Sequence, residues 1–216
     1  TRLMWYPAKA AFRAGRVGLF KDGTQWDASN VGDYSAAFGL DTKANGYAAT
    51  AMGDGTTASG EDATAMGYNT IASGREAVAM GDGTTASGEG ATAMGDNTTA
   101  SGTDAVAMGS GTTASALIAT AMGNRTTAKG ISSTSMGELT IAETRASVSL
   151  GVCNSSNTLD DQTLLVAGNG VFRGGCDSRA DALVLKQDGD LALGPSDPKD
   201  LRLHVAKDKP NAGVGD

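Results

Sequence analysis

Residues 49–62 read Ala-Thr-Ala-Met-Gly-Asp-Gly-Thr-Thr-Ala-Ser-Gly-Glu-Asp, and this phrase returns with small changes every 14 residues. A strict period this short predicts a coiled chain, in which each coil stacks the same residue types on the coil before it. The most regular column is a methionine followed by glycine, with Phe and Leu at its two ends. Its members are Phe38, Met52, Met66, Met80, Met94, Met108, Met122, Met136 and Leu150.

Each 14-residue unit contains two short segments that are separated by two glycine-containing corners. Segments of four to five residues are too short for helices, whereas Gly-Asp-Gly and Ser-Gly are turn sequences. We therefore predict two short strands per coil, stacked in parallel about 4.8 Å apart. Nine such coils over residues 35–151 predict a rod roughly 40 Å long.

Two columns of the second strand do not vary, and they share one face because strand side chains alternate. We place this face inside the coil. Its representative residues are Thr56, Ala58, Thr70, Ala72, Thr84, Ala86, Thr98 and Ala100. In the first strand, Ala49 and Ala51 with their equivalents are small enough for the narrow interior of a 14-residue coil.

The methionine column then lies on the opposite face of the first strand, beside a column of Thr and Val. Both columns are uncharged, and a single coil cannot cover them. Together they predict an apolar stripe larger than monomers usually expose, which favours coverage by other copies of the chain. The alternative is that the methionines fill the interior of the coil as ordinary core residues.

The charge of the chain argues against several classes of partner. Its net charge is −7, and ten acids against four bases within residues 47–151 account for −6 of it. An acidic rod does not suit phosphate backbones or anionic membrane surfaces, so we expect no nucleic-acid partner. No apolar run approaches the roughly 18 residues of a membrane span, so we expect no direct membrane insertion.

The residues that carry catalysis or bind metals and cofactors are sparse. His204 is the single histidine, and the glycine corners lack the lysine of a phosphate loop. We therefore expect no enzyme activity, no cofactor and no metal site. Cys153 and Cys176 are compatible either with a disulfide, as in extracellular proteins, or with two free thiols.

The repeat unit A-x-A-M-G-x-x-T-x-A-x-G-x-x resembles the 14-residue head repeat of YadA-like trimeric autotransporter adhesins and related tail-fibre-like proteins. The resemblance covers residues 33–151. It implies an all-β fold, a left-handed parallel β-roll (a β-solenoid), with three copies packed around a threefold axis as a homotrimer. It also implies an extracellular location, either on an outer-membrane-anchored surface fibre or on a virion or injection-system tail.

We expect three regions: a β cap (residues 1–32), the β-roll head (33–151) and a small β-rich region (152–216) that leads to further fibre. Within the last region, residues 163–170, 182–186, 191–194 and 201–205 are predicted to contain strands. The aromatic residues of the first region are predicted to cap the open end of the roll.

The pattern favours a non-enzymatic, homotrimeric fibre head that presents an adhesive surface to a host-surface, matrix or glycan receptor. One alternative is an ice-binding solenoid that uses outward Thr and Ser residues, as in Thr57 and Ser59. Another is a purely structural spacer. The candidate partner patch consists of Leu117, Ile118, Ile131, Trp5 and Trp26, for which packing against a neighbouring chain or capping is the alternative role.

Overall fold

The computed structural model describes residues 1–18, 23–154, 163–169, 171–172, 176–178, 181–186 and 191–193. These residues form an all-β parallel solenoid whose only helical segments are two short 3-10 turns, Pro7–Lys9 and Ala28–Asn30. The predicted fold class is therefore confirmed. The predicted strand at residues 201–205, with His204, lies outside the described residues.

The longer strands build one continuous sheet, the long-strand sheet. The strands of the coils are β3 (Ala36–Leu40), β5 (Thr50–Asp54), β7 (Thr64–Tyr68), β9 (Val78–Asp82), β11 (Thr92–Asp96), β13 (Val106–Ser110), β15 (Thr120–Asn124), β17 (Thr134–Glu138) and β19 (Val148–Val152). Adjacent strands are parallel and shifted by one 14-residue repeat, so Met52 pairs with Met66 and Gly53 with Gly67.

The second segment of each coil forms a two-residue strand, and these strands build the short-strand sheet on the opposite side. They are β4 (Lys43–Ala44), β6 (Thr57–Ala58), β8 (Ile71–Ala72), β10 (Thr85–Ala86), β12 (Thr99–Ala100), β14 (Thr113–Ala114), β16 (Thr127–Ala128) and β18 (Ile141–Ala142). They too are parallel and in register.

The glycine after each methionine is required by the stacking of the coils. Gly53 has a φ of +122°, and a Cβ built on it would lie 1.9 Å from the carbonyl oxygen of Gly67 in the next coil. Neither the conformation nor the space admits a side chain. The Met-Gly pair is therefore one structural unit, a side chain on the face of the sheet and a close backbone contact beside it.

The interior of the roll is a narrow stack of small side chains. The Thr and Ala columns predicted to face inward are completely buried, as are Ala49, Ala51 and their equivalents. Late in the series Ser133, Ser135 and Ser149 occupy the alanine positions and are also buried. Because no large side chain fits between the two sheets, the methionines lie outside, on the outer face of the long-strand sheet.

Both ends of the long-strand sheet finish in antiparallel pairs. At the N-terminal end, β2 (Ala11–Arg16) pairs in parallel with β3, and β1 (Arg2–Tyr6) pairs antiparallel with β2. At the other end, β20 (Thr163–Asn169) continues the parallel stack after β19, so the sheet extends beyond residue 151. It is followed by antiparallel β23 (Asp181–Lys186) and β24 (Leu191–Leu193).

A disulfide joins Cys153 to Cys176, with Cα atoms 5.7 Å apart. Cys153 directly follows β19, and Cys176 begins β22 (Cys176–Ser178), which pairs antiparallel with β21 (Val171–Phe172). Of the two states that the sequence left open, the structure contains the bonded one. The bond ties the last 14-residue coil to the strands that follow it.

Candidate functional site

The predicted methionine column forms a continuous stripe on the outer face of the long-strand sheet. Phe38 pairs with Met52, and each methionine pairs with the next as far as Leu150. The methionines are half-buried in the single chain, and Phe38 is exposed. The neighbouring column, from Ala36 through Thr50 to Val148, is also half-buried and uncharged. We call these two columns together the Met stripe.

The Met stripe continues onto the N-terminal cap. Leu3 pairs with Ala14, and Ala14 pairs with Phe38. Trp5 pairs with Phe12, whose ring lies 5.4 Å from that of Phe38 between centroids. Leu3 is 73% exposed and Trp5 is 58% exposed. Trp5, which the sequence analysis assigned to the partner patch, therefore lies at the tip of the apolar face that carries the methionines.

Trp26 does not belong to an exposed partner patch, and this part of the prediction is wrong. Its side chain is only 4% exposed, and its indole N–H donates a hydrogen bond to the carbonyl oxygen of Thr42 at 3.1 Å. In the next coil, the equivalent carbonyl of Thr56 accepts from the backbone N–H of Lys43. The indole thus replaces the backbone donor that a preceding coil would supply, which is the capping role also expected for it.

Arg13 is a second capping residue, and sequence reasoning did not find it. It occupies the inward alanine column, opposite Ala37, and is completely buried. Its guanidinium donates to the carbonyl oxygens of Ser35 at 2.9 Å and Ala44 at 2.8 Å. Burial lowers the pKa of Arg13 to about 10, so it stays charged at neutral pH. Its spacing from Ala37 is 24 residues, which hides it from a 14-residue alignment.

Asn154 caps the opposite end of the roll. It stands in the inward threonine column, 14 residues after Thr140, and is completely buried. Its amide nitrogen donates to the carbonyl of Ile141 at 2.8 Å, and its amide oxygen accepts from the N–H of Ile141 at 2.6 Å. One side chain therefore imitates the edge of a following strand. The change from Thr to Asn in a constant column was the sequence signal for it.

One corner of every coil lies on the same edge of the roll, which we call the Tyr47 edge. Its positions are 33–34, 47–48, 61–62, 75–76, 89–90, 103–104, 117–118, 131–132 and 145–146. The predicted patch residues Leu117, Ile118 and Ile131 are exposed here in adjacent coils. Ile118 has a φ of 56°, a left-handed conformation that is unusual for a β-branched residue.

The Tyr47 edge has two further zones beside this apolar one. Its middle is charged, where Arg75 forms ion pairs with Glu76 at 3.1 Å and with Glu89 of the next coil. The hydrogen bond from Glu89 and its charge raise the pKa of Arg75 above the ordinary value. Near the N-terminal cap, the exposed rings of Tyr34 and Tyr47 pack edge to face with centroids 5.2 Å apart.

The outer face of the short-strand sheet carries the Thr and Ser residues considered for ice binding. Its threonines stack in register, as in the pairing of Thr85 with Thr99. The array is interrupted by exposed Ile71 and by an ion pair between Lys129 and Glu143 at 3.1 Å. This face is therefore less regular than the Met stripe.

Among the residues that the structure describes, no group of three or more His, Cys, Asp or Glu side chains could hold a metal ion. Within that same part of the chain, no helix is long and apolar enough to cross a membrane.

Comparison with known families identifies the repeat. The family model "YadA head domain repeat (2 copies)" matches residues 31–56, 44–70, 58–84, 72–98 and 100–126, overlapping windows of about two coils each. No curated protein matched the chain. The structure continues the same register beyond the last window, through β17 and β19. The coiled part of this chain is therefore a YadA head, a domain that implies an extracellular, surface-exposed adhesin.

Proposed function

We propose that this chain forms the head of a homotrimeric fibre, in which three copies pack their Met stripes around a common axis. The observation that carries the proposal is the stripe itself, an uncharged face that runs without interruption from Trp5 to Leu150. Apolar faces of this size are usually covered by another protein surface. Methionine adapts well to such packed interfaces because its side chain is flexible.

The proposed role of this head is adhesion without catalysis. With the stripes at the axis, the short-strand sheet and at least one corner of each coil would face outward, repeated on three chains. Many weak contacts from three identical surfaces give avidity without a deep pocket. We propose host-surface, matrix or glycan receptors, with the apolar zone around Leu117, Ile118 and Ile131 as one contact surface. The fibre would belong to a cell-surface adhesin or a phage-like tail.

The experiment is binding of the purified protein to host cells, extracellular-matrix proteins and cell-envelope glycans. We expect saturable binding by a trimer, weakened when Leu117→Ser and Ile131→Ser are combined. Ile71→Ser is the matched control, since Ile71 is an equally exposed isoleucine on the short-strand sheet. A trimer that binds none of these surfaces would be a spacer, and the adhesive proposal would fail.

A further inference from the structure

We propose that the N-terminal part of the Tyr47 edge is a binding site for neutral oligosaccharides, centred on Tyr34 and Tyr47. This inference deepens the proposed adhesive function and rests on it. Its starting point is an aromatic pair in a roll that contains almost no other large rings. The two tyrosines are 62% and 52% exposed, and their rings lie at 71° to each other.

Two open clefts flank the aromatic pair. One has a volume of about 140 Å³ and lies between the 3-10 turn Pro7–Lys9 and Tyr34. The other has a volume of about 280 Å³ and is lined by Lys9, Asn45 and Tyr47, among others. Asp33 lines both clefts. Each is small for a drug-sized ligand, whose pockets hold roughly 300–1,000 Å³, so each suits one ring of an extended ligand.

The polar groups in these clefts are held in place and include an unpaired acceptor. The Lys9 ammonium donates to the carbonyls of Ala28 at 2.8 Å and Val31 at 2.5 Å. An ammonium has three N–H donors, so one can serve a ligand. The amide oxygen of Asn45 is buried and has no hydrogen-bond partner among the described residues. Burying such an acceptor unpaired is unfavourable, and a ligand hydroxyl would satisfy it.

A neutral sugar matches this combination better than other ligands of similar size. A pyranose ring has an apolar C–H face that packs on an aromatic ring and hydroxyls that donate and accept. The Asn45 oxygen, the Asp33 carboxylate and the tyrosine hydroxyls all accept hydrogen bonds, so the ligand must supply donors. A proline-rich peptide would also pack on paired tyrosines, but proline has no N–H to donate.

The charge of the edge argues for a neutral sugar in particular. Asp33 lies in the clefts, and Glu61 and Asp62 stand at the same corner of the coil that follows Tyr47. The whole chain carries a net charge of −7. Sulfated or sialylated glycans would be repelled by these carboxylates.

The test measures binding of the purified full chain to immobilised neutral oligosaccharides ending in glucose, galactose, mannose or N-acetylglucosamine. Heparin and a decaproline peptide are the competing probes. We expect binding to at least one neutral sugar, with Kd raised about tenfold or more by Tyr47→Ala, as for an aromatic anchor. Tyr68→Ala is the matched control, because Tyr68 is also 52% exposed but lies at the other corner of its coil.

A second variant separates binding from folding. Asn45→Ala removes the unpaired buried oxygen, so we expect an unchanged or higher Tm together with weaker sugar binding. A lower Tm with unchanged sugar binding would assign Asn45 a structural role and overturn its part in the site. Stronger binding to heparin or decaproline than to every neutral sugar, or equal effects of Tyr47→Ala and Tyr68→Ala, would overturn the inference.

Failure of this site is distinguishable from failure of the proposed function. If the wild-type trimer adheres to cells but binds no neutral sugar, the sugar site is wrong and the adhesive function stands. If the protein is a stable monomer that adheres to no cell, the proposed function is wrong. Sugar binding that depends on Tyr47 in such a monomer would still support the site.

Discussion

At the scale of single residues, the interior of the roll holds an unusual column of threonine hydroxyls. Seven of them, from Thr42 to Thr126, are buried without a hydrogen-bond partner among the described residues. Thr140 differs because its hydroxyl lies 2.8 Å from that of Ser135, which replaces alanine in the facing column. The same residue type therefore has two different energetic roles along one column.

Thr112→Val tests the unpaired hydroxyls. We expect it to raise the free energy of unfolding by about 1 kcal/mol, because it removes a buried polar group that has no partner and keeps the shape of the side chain. Thr140→Val is the control and should lower the free energy of unfolding by about 1–3 kcal/mol, since it leaves Ser135 unpaired. Chemical denaturation measures both. Destabilisation by Thr112→Val would instead reveal an internal partner such as a bound water.

Ile118 is the second residue whose local energy is unusual. Its corner position has a positive φ in every coil, where other coils place Asp62, Gly90 or Asp104. Asparagine tolerates this conformation better than a β-branched residue does.

We expect Ile118→Asn to stabilise the protein by about 1 kcal/mol in chemical denaturation, because it relieves left-handed strain. Ile131→Asn is the matched control, since Ile131 is exposed on the same edge and is not among the residues with positive φ. The control should change stability by less than about 0.5 kcal/mol. Equal effects of the two substitutions would contradict the strain argument.

At the scale of secondary-structure elements, the strands of the coils are interchangeable and the ends are not. Every internal two-residue strand receives backbone hydrogen bonds from neighbours on both sides, as Thr57 does from the coil that contains Thr70. The last one, β18, has Asn154 in place of a following strand. Side chains at the ends thus do the work of missing backbone.

Asn154→Ala should open this end of the roll. It removes both side-chain hydrogen bonds to Ile141, so we expect a loss of roughly 2 kcal/mol of local stability. Hydrogen exchange at the amide of Ile141 measures this directly, and exchange should accelerate there before it does in β12. Asn124→Ala is the control, because Asn124 is exposed and makes one side-chain hydrogen bond, to Glu138 at 3.2 Å. Unchanged protection of Ile141 would rule out the capping role.

The difference between what was predictable and what was not follows from this distinction between coils and ends. The strands, the two sheets and the buried columns repeat, so comparing Thr56 with Thr70 and Ala58 with Ala72 reveals the face of each. Arg13 and Trp26 occur once, at positions set by a 24-residue first turn, and no column exposes their role. The clefts beside Tyr34 and Tyr47 depend on how residues 7–10 fold back, which periodicity does not encode.

At the scale of the whole molecule, the faces of the roll have different chemistry. The long-strand sheet presents the uncharged Met stripe, and the short-strand sheet presents Thr and Ser with an ion pair between Lys129 and Glu143. The Tyr47 edge carries an aromatic, a charged and an apolar zone in succession. Since a repeat could place charge equally well on either sheet, its absence from only one of them points to assembly rather than to folding of the single chain.

Met94→Lys is the decisive substitution for this assembly. The wild type should sediment at about 65 kDa, three times the 21.6 kDa of one chain. A lysine at Met94, in the middle of the stripe, would bring three ammonium groups together in an apolar interface and should shift the protein toward monomer. Thr99→Lys is the control, because Thr99 is half-buried to a similar class on the short-strand sheet, and it should leave the trimer intact. A wild-type chain that sediments as a monomer would show that half-buried methionines are tolerated in water here, and the threefold packing of the stripes would be wrong.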